Sequence, residues 1–143
     1  MKQFFWGMIL LLAGAPLMAQ EAIAIDKEAA RKAADEMIAR YSLNAEQSAE
    51  ALKIQERRLR NEADIASLKA SDNLLFLQKR KAIRLGTDAS LKRMLNESQM
   101  AIFDAAALER RKKDSDFIAG MKQKNLTQEE MKIAFLEREG DLE

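Results

Sequence analysis

Clustered basic side chains are the residues best suited to do chemistry in this chain. Three clusters stand out, at residues 57–60, 79–84 and 110–113. Such clusters attract acidic segments of a partner from a distance. We expect the chain to bind through them, and the candidate binding residues are Arg57, Arg58, Arg60, Lys79, Arg80, Arg110, Arg111, Lys112 and Lys113.

The chain has few of the residue types and motifs that catalyse reactions. The chain has no His and no Cys, which removes the commonest general base, thiolate chemistry and most transition-metal sites. It also lacks a nucleophile elbow, a Gly-rich phosphate loop and EF-hand spacing. We therefore predict a protein that is not an enzyme and needs no cofactor or metal. A weak Ca²⁺ site made of carboxylates stays open as an alternative.

The positive charge is concentrated in the middle of the chain. Residues 53–113 carry fifteen Lys and Arg against eight Asp and Glu, whereas residues 20–52 and 114–143 are net acidic. Solvated helix faces with internal or intersubunit pairing explain such a pattern more often than nucleic-acid binding does. We expect no nucleic-acid partner.

The first residues have the order of a secretory signal peptide. Lys2 precedes an apolar stretch from Phe4 to Leu12, and Ala19 precedes the expected cleavage point. The stretch is shorter than the roughly 20 residues of a membrane-spanning helix, so we favour cleavage over a retained anchor. The predicted organisation is a signal peptide at 1–19, a lead-in at 20–25 and one helical domain at 26–140, located in the periplasm.

Three short boxes share one pattern: Leu, then Asn or Thr, and Gln or Glu three residues later. This is a capping box, in which the Asn or Thr side chain and the Gln or Glu side chain each bond to the other residue's backbone N–H. Each box therefore predicts the start of a helix. The boxes comprise Leu43, Asn44 and Gln47; Leu95, Asn96 and Gln99; and Leu126, Thr127 and Glu130.

These starts predict an all-α protein of four to five helices. Asp26 begins a helix to about Tyr41, and the first box begins a long one to about Ala70. The segment 71–73 begins a third helix that Gly86 ends, and Thr87 or Asp88 then caps a short helical turn to Met94. The second box begins another long helix to about residue 124, and the third a last one to about Gly140.

The first long helix carries a heptad-like stripe of mostly small residues, with Glu56 as its one polar member. A second line on the same helix carries Ile54, Ile65 and Leu68. A heptad-like stripe is typical of a helix–helix seam, and the stripe comprises Ala45, Ala49, Leu52, Glu56, Leu59, Ala63, Ala66 and Ala70.

The first two boxes resemble the Leu-Thr-x-x-Gln signature of the Spy/CpxP family of periplasmic proteins, with Asn44 and Asn96 replacing the usual Thr. The resemblance covers residues 26–125. It implies an extended helical hairpin that forms a cradle-shaped dimer and binds aggregation-prone clients without ATP. It also implies that residues 57–60 and 110–113 lie on the two helices that build the cradle.

Apolar residues on the same helices complete the predicted surface. Phe76, Ile102 and Phe103 are the candidates, although core or dimer-interface packing is the commoner role of such residues. The predicted function is an ATP-independent chaperone-like protein that binds unfolded or aggregation-prone clients. The alternative, also drawn from the resemblance, is an envelope-stress regulator that binds a membrane sensor or another single partner.

Overall fold

The computed structural model describes residues 25–141, and its helices begin where the sequence places capping side chains. They are α1 (Lys27–Tyr41), α2 (Ala45–Ile65), α3 (Leu68–Ser71), α4 (Asn73–Met94), α5 (Glu97–Lys122) and α6 (Gln128–Asp141). Residues 25–141 contain no strand, so the all-helical prediction is confirmed. The described helices number six, one more than the upper end of the prediction.

The predicted signal peptide and nearly all of the lead-in lie outside the described residues. Of the lead-in only Ile25 is described, and it precedes the first helix. In residues 25–141, no helix combines the length and apolar character that crossing a bilayer requires.

Local hydrogen bonds set the helix starts. The Asp26 carboxylate accepts from the backbone N–H groups of Glu28 and Ala29 at 2.9 and 3.0 Å. Asp72 accepts from the N–H of Leu75 at 3.0 Å and begins α4. Such caps satisfy N–H groups that have no partner within the helix.

All three predicted capping boxes form. Asn44 and Gln47 exchange bonds at 2.9 and 3.0 Å, and Asn96 and Gln99 exchange bonds at 3.0 Å each. In the third box, Glu130 accepts from the Thr127 N–H at 2.8 Å, and Thr127 Oγ1 accepts from the Glu130 N–H at 3.2 Å.

The prediction that Gly86 ends a helix is wrong. Helix α4 continues through Gly86 to Met94, and no described glycine has a positive φ. Thr87 does not cap a new helix, because its hydroxyl donates to the Ile83 carbonyl one turn back at 3.0 Å. Asp88 also lies inside α4, where its carboxylate pairs with Arg84.

The long helix predicted for residues 45–70 is interrupted once. Its last turn tightens because the Ala66 N–H bonds to the Ala63 carbonyl, three residues back, at 3.2 Å. Residues 66 and 67 form a turn, after which α3 provides one further helical turn.

The buried side of α2 is the second apolar line and not the stripe of small residues. Ile54 is 2% exposed and Ile65 is 9% exposed, whereas Ala45, Ala49, Ala66 and Ala70 are exposed. Branched Ile side chains remove more apolar area from water than Ala does, and they decide which side of the helix packs.

Helix α2 lies between α1 and α4, and α4 also packs against α6. The largest apolar cluster surrounds the first two boxes and includes Tyr41, Leu43, Ala51, Leu91 and Phe103. The Tyr41 and Phe103 rings lie 6.3 Å apart and join the end of α1 to the start of α5. Leu95, which precedes the Asn96 cap, and Met100, four positions after that cap, both pack against this cluster.

Candidate functional site

The first two boxes meet in the structure and join two distant parts of the chain. Gln47 Nε2 donates to Gln99 Oε1 at 2.7 Å and to the Met94 carbonyl at 2.7 Å. Gln99 Nε2 donates to Gln47 Oε1 at 3.0 Å and to the Ser42 carbonyl at 3.3 Å. We refer to Ser42, Gln47, Met94 and Gln99 as the amide joint.

The amide joint is nearly two-fold symmetric in its bonding. Each glutamine accepts from its own cap's N–H, bonds to the other glutamine, and donates to the carbonyl that lies two residues before the other cap. Gln99 is only 6% exposed. Because a buried amide is costly unless it is hydrogen-bonded, these satisfied contacts fix how the starts of α2 and α5 lie relative to each other.

A cleft of about 450 Å³ opens beside the amide joint, between α1, α2, α4 and α5. Its apolar lining consists of Met37, Tyr41, Leu91 and Phe103, with Ala33 and Ala106. Its charged lining has five basic residues, Arg40, Arg58, Arg84, Arg110 and Lys113, and three acidic ones, Glu36, Asp88 and Glu109.

The charged groups of the cleft are loosely paired. Asp88 is shared by Arg84 at 3.4 Å and Arg110 at 3.6 Å. Lys113 pairs with Glu109 at 2.9 Å, and the ammonium group lowers the pKa of Glu109 through this hydrogen bond and through charge attraction. Both side chains of this second pair are more than half exposed, so the pair exchanges partners at little cost.

The structure brings together some of the sequence-predicted binding residues at this cleft. Arg58, Arg110 and Lys113 line it, although they come from two separate basic clusters. Arg58 is held there by Glu62 at 2.9 Å and by the Gln55 amide oxygen at 3.4 Å. A second groove, between α4, α5 and α6, is lined by Arg111 and shares Arg84, Asp88, Phe103 and Arg110 with the cleft.

Other predicted residues lie outside the cleft. Arg57, Arg60, Lys79 and Lys112 are exposed, and Arg80 and Phe76 are half-buried. Ile102 is 44% exposed on α5 and does not line the cleft. The basic residues therefore do not form one continuous surface.

Phe103 needs a correction. It was predicted as a surface binding residue, but it is only 5% exposed and belongs to the apolar cluster with Tyr41 and Leu91. Phe103 lines the floor of the cleft, but its main role is packing in the apolar cluster.

Sequence reasoning missed several residues of the cleft. Met37, Arg40 and Tyr41 of α1 line the cleft, and none of them was predicted as a binding residue. Arg40 follows from α1 lying against the basic helices, a long-range arrangement that no local pattern specifies. Comparison with family models, with curated proteins and with solved structures finds no significant match.

Proposed function

We propose that this chain is an exported, ATP-independent chaperone-like protein that binds unfolded or aggregation-prone clients in the cleft. One observation carries the proposal: basic groups from α2 and α5, the helices that begin with the first two boxes, converge over an apolar floor. An unfolded segment presents acidic and apolar side chains together. A cleft with both kinds of group can therefore attract such a segment and then hold it.

Binding proceeds by exchange of ion pairs. Arg110 lies 3.6 Å from Asp88, and the Lys113–Glu109 pair is solvated. A client carboxylate can replace either protein carboxylate with little net cost, because exposed pairs contribute at most about 1 kcal/mol. Binding of this kind is reversible and needs no nucleotide.

The apolar floor supplies the second part of the affinity. Tyr41 and Phe103 are rigid, large side chains held by the core. Because both rings are only 5% exposed, the apolar surface that a client can cover belongs mainly to Ala33, Met37 and Ala106. Covering it contributes about 25 cal/mol per Å² removed from water. In this proposal the protein acts as a dimer whose paired clefts form a cradle, and it acts in the periplasm.

The test compares two double variants on the same helix. Arg110→Gln with Lys113→Gln removes two cleft charges, and Arg111→Gln with Lys112→Gln removes two charges outside the cleft. Each variant, starting at Gln20, is mixed with a denatured model client diluted into buffer, and aggregation is followed by light scattering without ATP. Circular dichroism confirms that both variants remain helical.

We expect the wild type to suppress aggregation at low salt and less at high salt, because salt screens the attraction. The cleft variant should lose at least about half of this suppression, and the control variant should keep it. Equal loss in both variants would contradict client binding in the cleft and would attribute the suppression to net charge alone. No suppression by a folded wild type would contradict the chaperone proposal, and a pull-down giving one stoichiometric partner would then favour a regulator.

A further inference from the structure

Two arginines converge on one buried hydroxyl between α2 and α4. Arg57 Nη2 donates to Ser90 Oγ at 2.7 Å, and Arg93 Nη2 donates to the same atom at 3.1 Å. Ser90 is 8% exposed, and its hydroxyl donates in turn to the Gly86 carbonyl at 2.9 Å. None of these residues lines the cleft.

Neither guanidinium is paired with a carboxylate of the described residues. Within residues 25–141, no carboxylate lies within ion-pair distance of Arg57 or Arg93. The two Nη2 atoms contact the same oxygen, so they lie within about 6 Å of each other and repel. An anion between the two guanidinium groups would relieve this repulsion and accept charge-assisted hydrogen bonds from both.

Nearby acidic side chains do not compensate this charge. Glu50 lies on the same side of α2 but pairs with Lys53 at 3.4 Å. On α4, Asp88 pairs with Arg84 and Arg110. Arg60 lies one turn beyond Arg57 on α2, and Asp64, one turn further on the same side, offsets the charge of Arg60. The local potential therefore favours an anion at Arg57 and Arg93.

We propose that Arg57 and Arg93 bind a phosphate group. Two guanidinium forks carry two positive charges and several N–H donors, which match the charge and the three terminal oxygens of a phosphate monoester or of inorganic phosphate. A carboxylate has one charge and two oxygens and matches a single arginine. Ser90 Oγ accepts from both guanidinium groups and orients them when the site is empty, while the Ser90 hydroxyl donates its own hydrogen bond to the Gly86 carbonyl.

This site is independent of the proposed chaperone function. Arg57 and Arg93 are exposed, so the phosphate group can belong to a free ion or to a lipid whose headgroup ends in a phosphate monoester. Both sources present the same chemistry to the two arginines, and the experiment separates them.

The first arm titrates inorganic phosphate into the full folded chain at constant ionic strength, with chloride as the reference, and measures binding by calorimetry. We expect phosphate to bind and Arg57→Gln with Arg93→Gln to weaken it at least about tenfold. The control is Arg111→Gln with Lys112→Gln, which changes the net charge equally and should bind as the wild type does. Equal binding by the Arg57/Arg93 variant, or no phosphate binding by the wild type, would overturn the proposal.

Ser90→Ala separates binding from structure. This variant loses both arginine–Ser90 hydrogen bonds, of which the one from Arg57 joins α2 to α4 and the one from Arg93 lies within α4. It keeps both guanidinium groups, and the loss of a competing acceptor should leave phosphate affinity unchanged or higher. Loss of phosphate binding in a folded Ser90→Ala variant would show that the contacts are structural and would overturn the proposal.

The second arm uses phosphatidylcholine vesicles that contain phosphatidic acid, whose headgroup is a phosphate monoester, with pure phosphatidylcholine vesicles as the reference. Binding to the anionic vesicles that Arg57→Gln with Arg93→Gln abolishes, and that inorganic phosphate competes, identifies a headgroup. Phosphate binding without vesicle binding identifies a free ion. The Arg57/Arg93 variant should still suppress client aggregation, so failure of this site and failure of the chaperone proposal are distinguishable.

Discussion

The amide joint and the attachment of α6 both hold distant parts of the chain together, but they use different physics. The amide joint connects the starts of α2 and α5 through neutral glutamine side chains whose amide N–H and C=O groups are hydrogen-bonded. Helix α6 is held mainly by charge. Glu139 accepts from Arg84 at 2.7 Å and pairs with Lys81 at 3.0 Å, and Arg138 pairs with Asp114 at 3.5 Å.

The two regions also differ in how completely their polar atoms are satisfied. At α6, three buried atoms lack an aligned hydrogen bond within the described residues: Asp114 Oδ1, Arg138 Nη1 and Glu139 Oε2. Cation–π contacts of Lys81 with Phe135 and of Arg138 with Phe117 add to the attachment. Hydrogen bonds between neutral amides in a satisfied network involve no charge that acid can remove or salt can screen. Ionic contacts weaken when the salt concentration rises or when a carboxylate becomes protonated.

The amide joint is the more rigid of the two regions, and α6 is the one that can open. Met94 of the amide joint packs against the apolar cluster that contains Tyr41, Leu91 and Phe103, and these three residues also line the cleft. Helix α6 has one fully buried apolar residue, Leu136, and it depends on its charges. We expect α6 to exchange its amide protons faster than the helices at the joint.

The largest effect should come from breaking the joint with Gln99→Leu. This change removes the side-chain donor and acceptor of Gln99, so the Asn96 N–H and the Ser42 carbonyl lose their side-chain partner. Gln47 loses its bonds to Gln99 and keeps those to Met94 and Asn44. We expect a loss of about 3 kcal/mol in the free energy of unfolding, measured by urea denaturation. Gln123→Leu, at an exposed position that ends α5, is the control and should change stability by less than about 0.5 kcal/mol. Similar losses in both variants would contradict a structural role for the joint.

A smaller and more local effect should come from Glu139→Gln. The neutral amide no longer balances Arg84 and Lys81, and the side chains of Arg84 and Glu139 are only 14% and 10% exposed. We expect hydrogen exchange in α6 to accelerate by an amount equivalent to about 1–3 kcal/mol, with the amides of Asn44 and Asn96 unchanged. Glu137→Gln, on an exposed position of the same helix, should leave exchange unchanged. Acceleration at the joint as well would mean that the two regions open together.

The smallest effect concerns acid and the third box. The N–H of Thr127, and then its hydroxyl, lower the pKa of Glu130 below its ordinary value of 4.5. Because the folded-state pKa is lowered, the cap contributes fully above pH 4.5 and is lost as the pH falls through the folded-state pKa. The amide ¹H shift of Thr127 should follow this titration by NMR.

Glu130→Gln gives the third box the same amide acceptor as the other two, and it should abolish the titration at Thr127. In the wild type, the corresponding N–H groups of Asn44 and Asn96 should show no carboxylate titration, since Gln47 and Gln99 are neutral. A Thr127 shift that titrates equally in the Glu130→Gln variant would assign the effect to another acid.

Much of the helical layout could be predicted from local sequence. Asp26, Asn44, Asp72, Asn96 and Thr127 precede helices because each side chain reaches N–H groups only two or three residues away. Gly86 was misread because a glycine terminates a helix only where the backbone turns left-handed, and the packing of α4 keeps it helical.

The candidate sites depended on the tertiary structure. Arg57 and Arg58 are adjacent, yet one helix turns them toward different neighbours, Ser90 for the first and the cleft for the second. Gln47 and Gln99 were recognised as separate caps, and their mutual bond spans 52 positions. Sequence by itself determined the helix starts, because capping is a short-range interaction. Only the tertiary structure decided which caps and charges meet, because that depends on how whole helices pack.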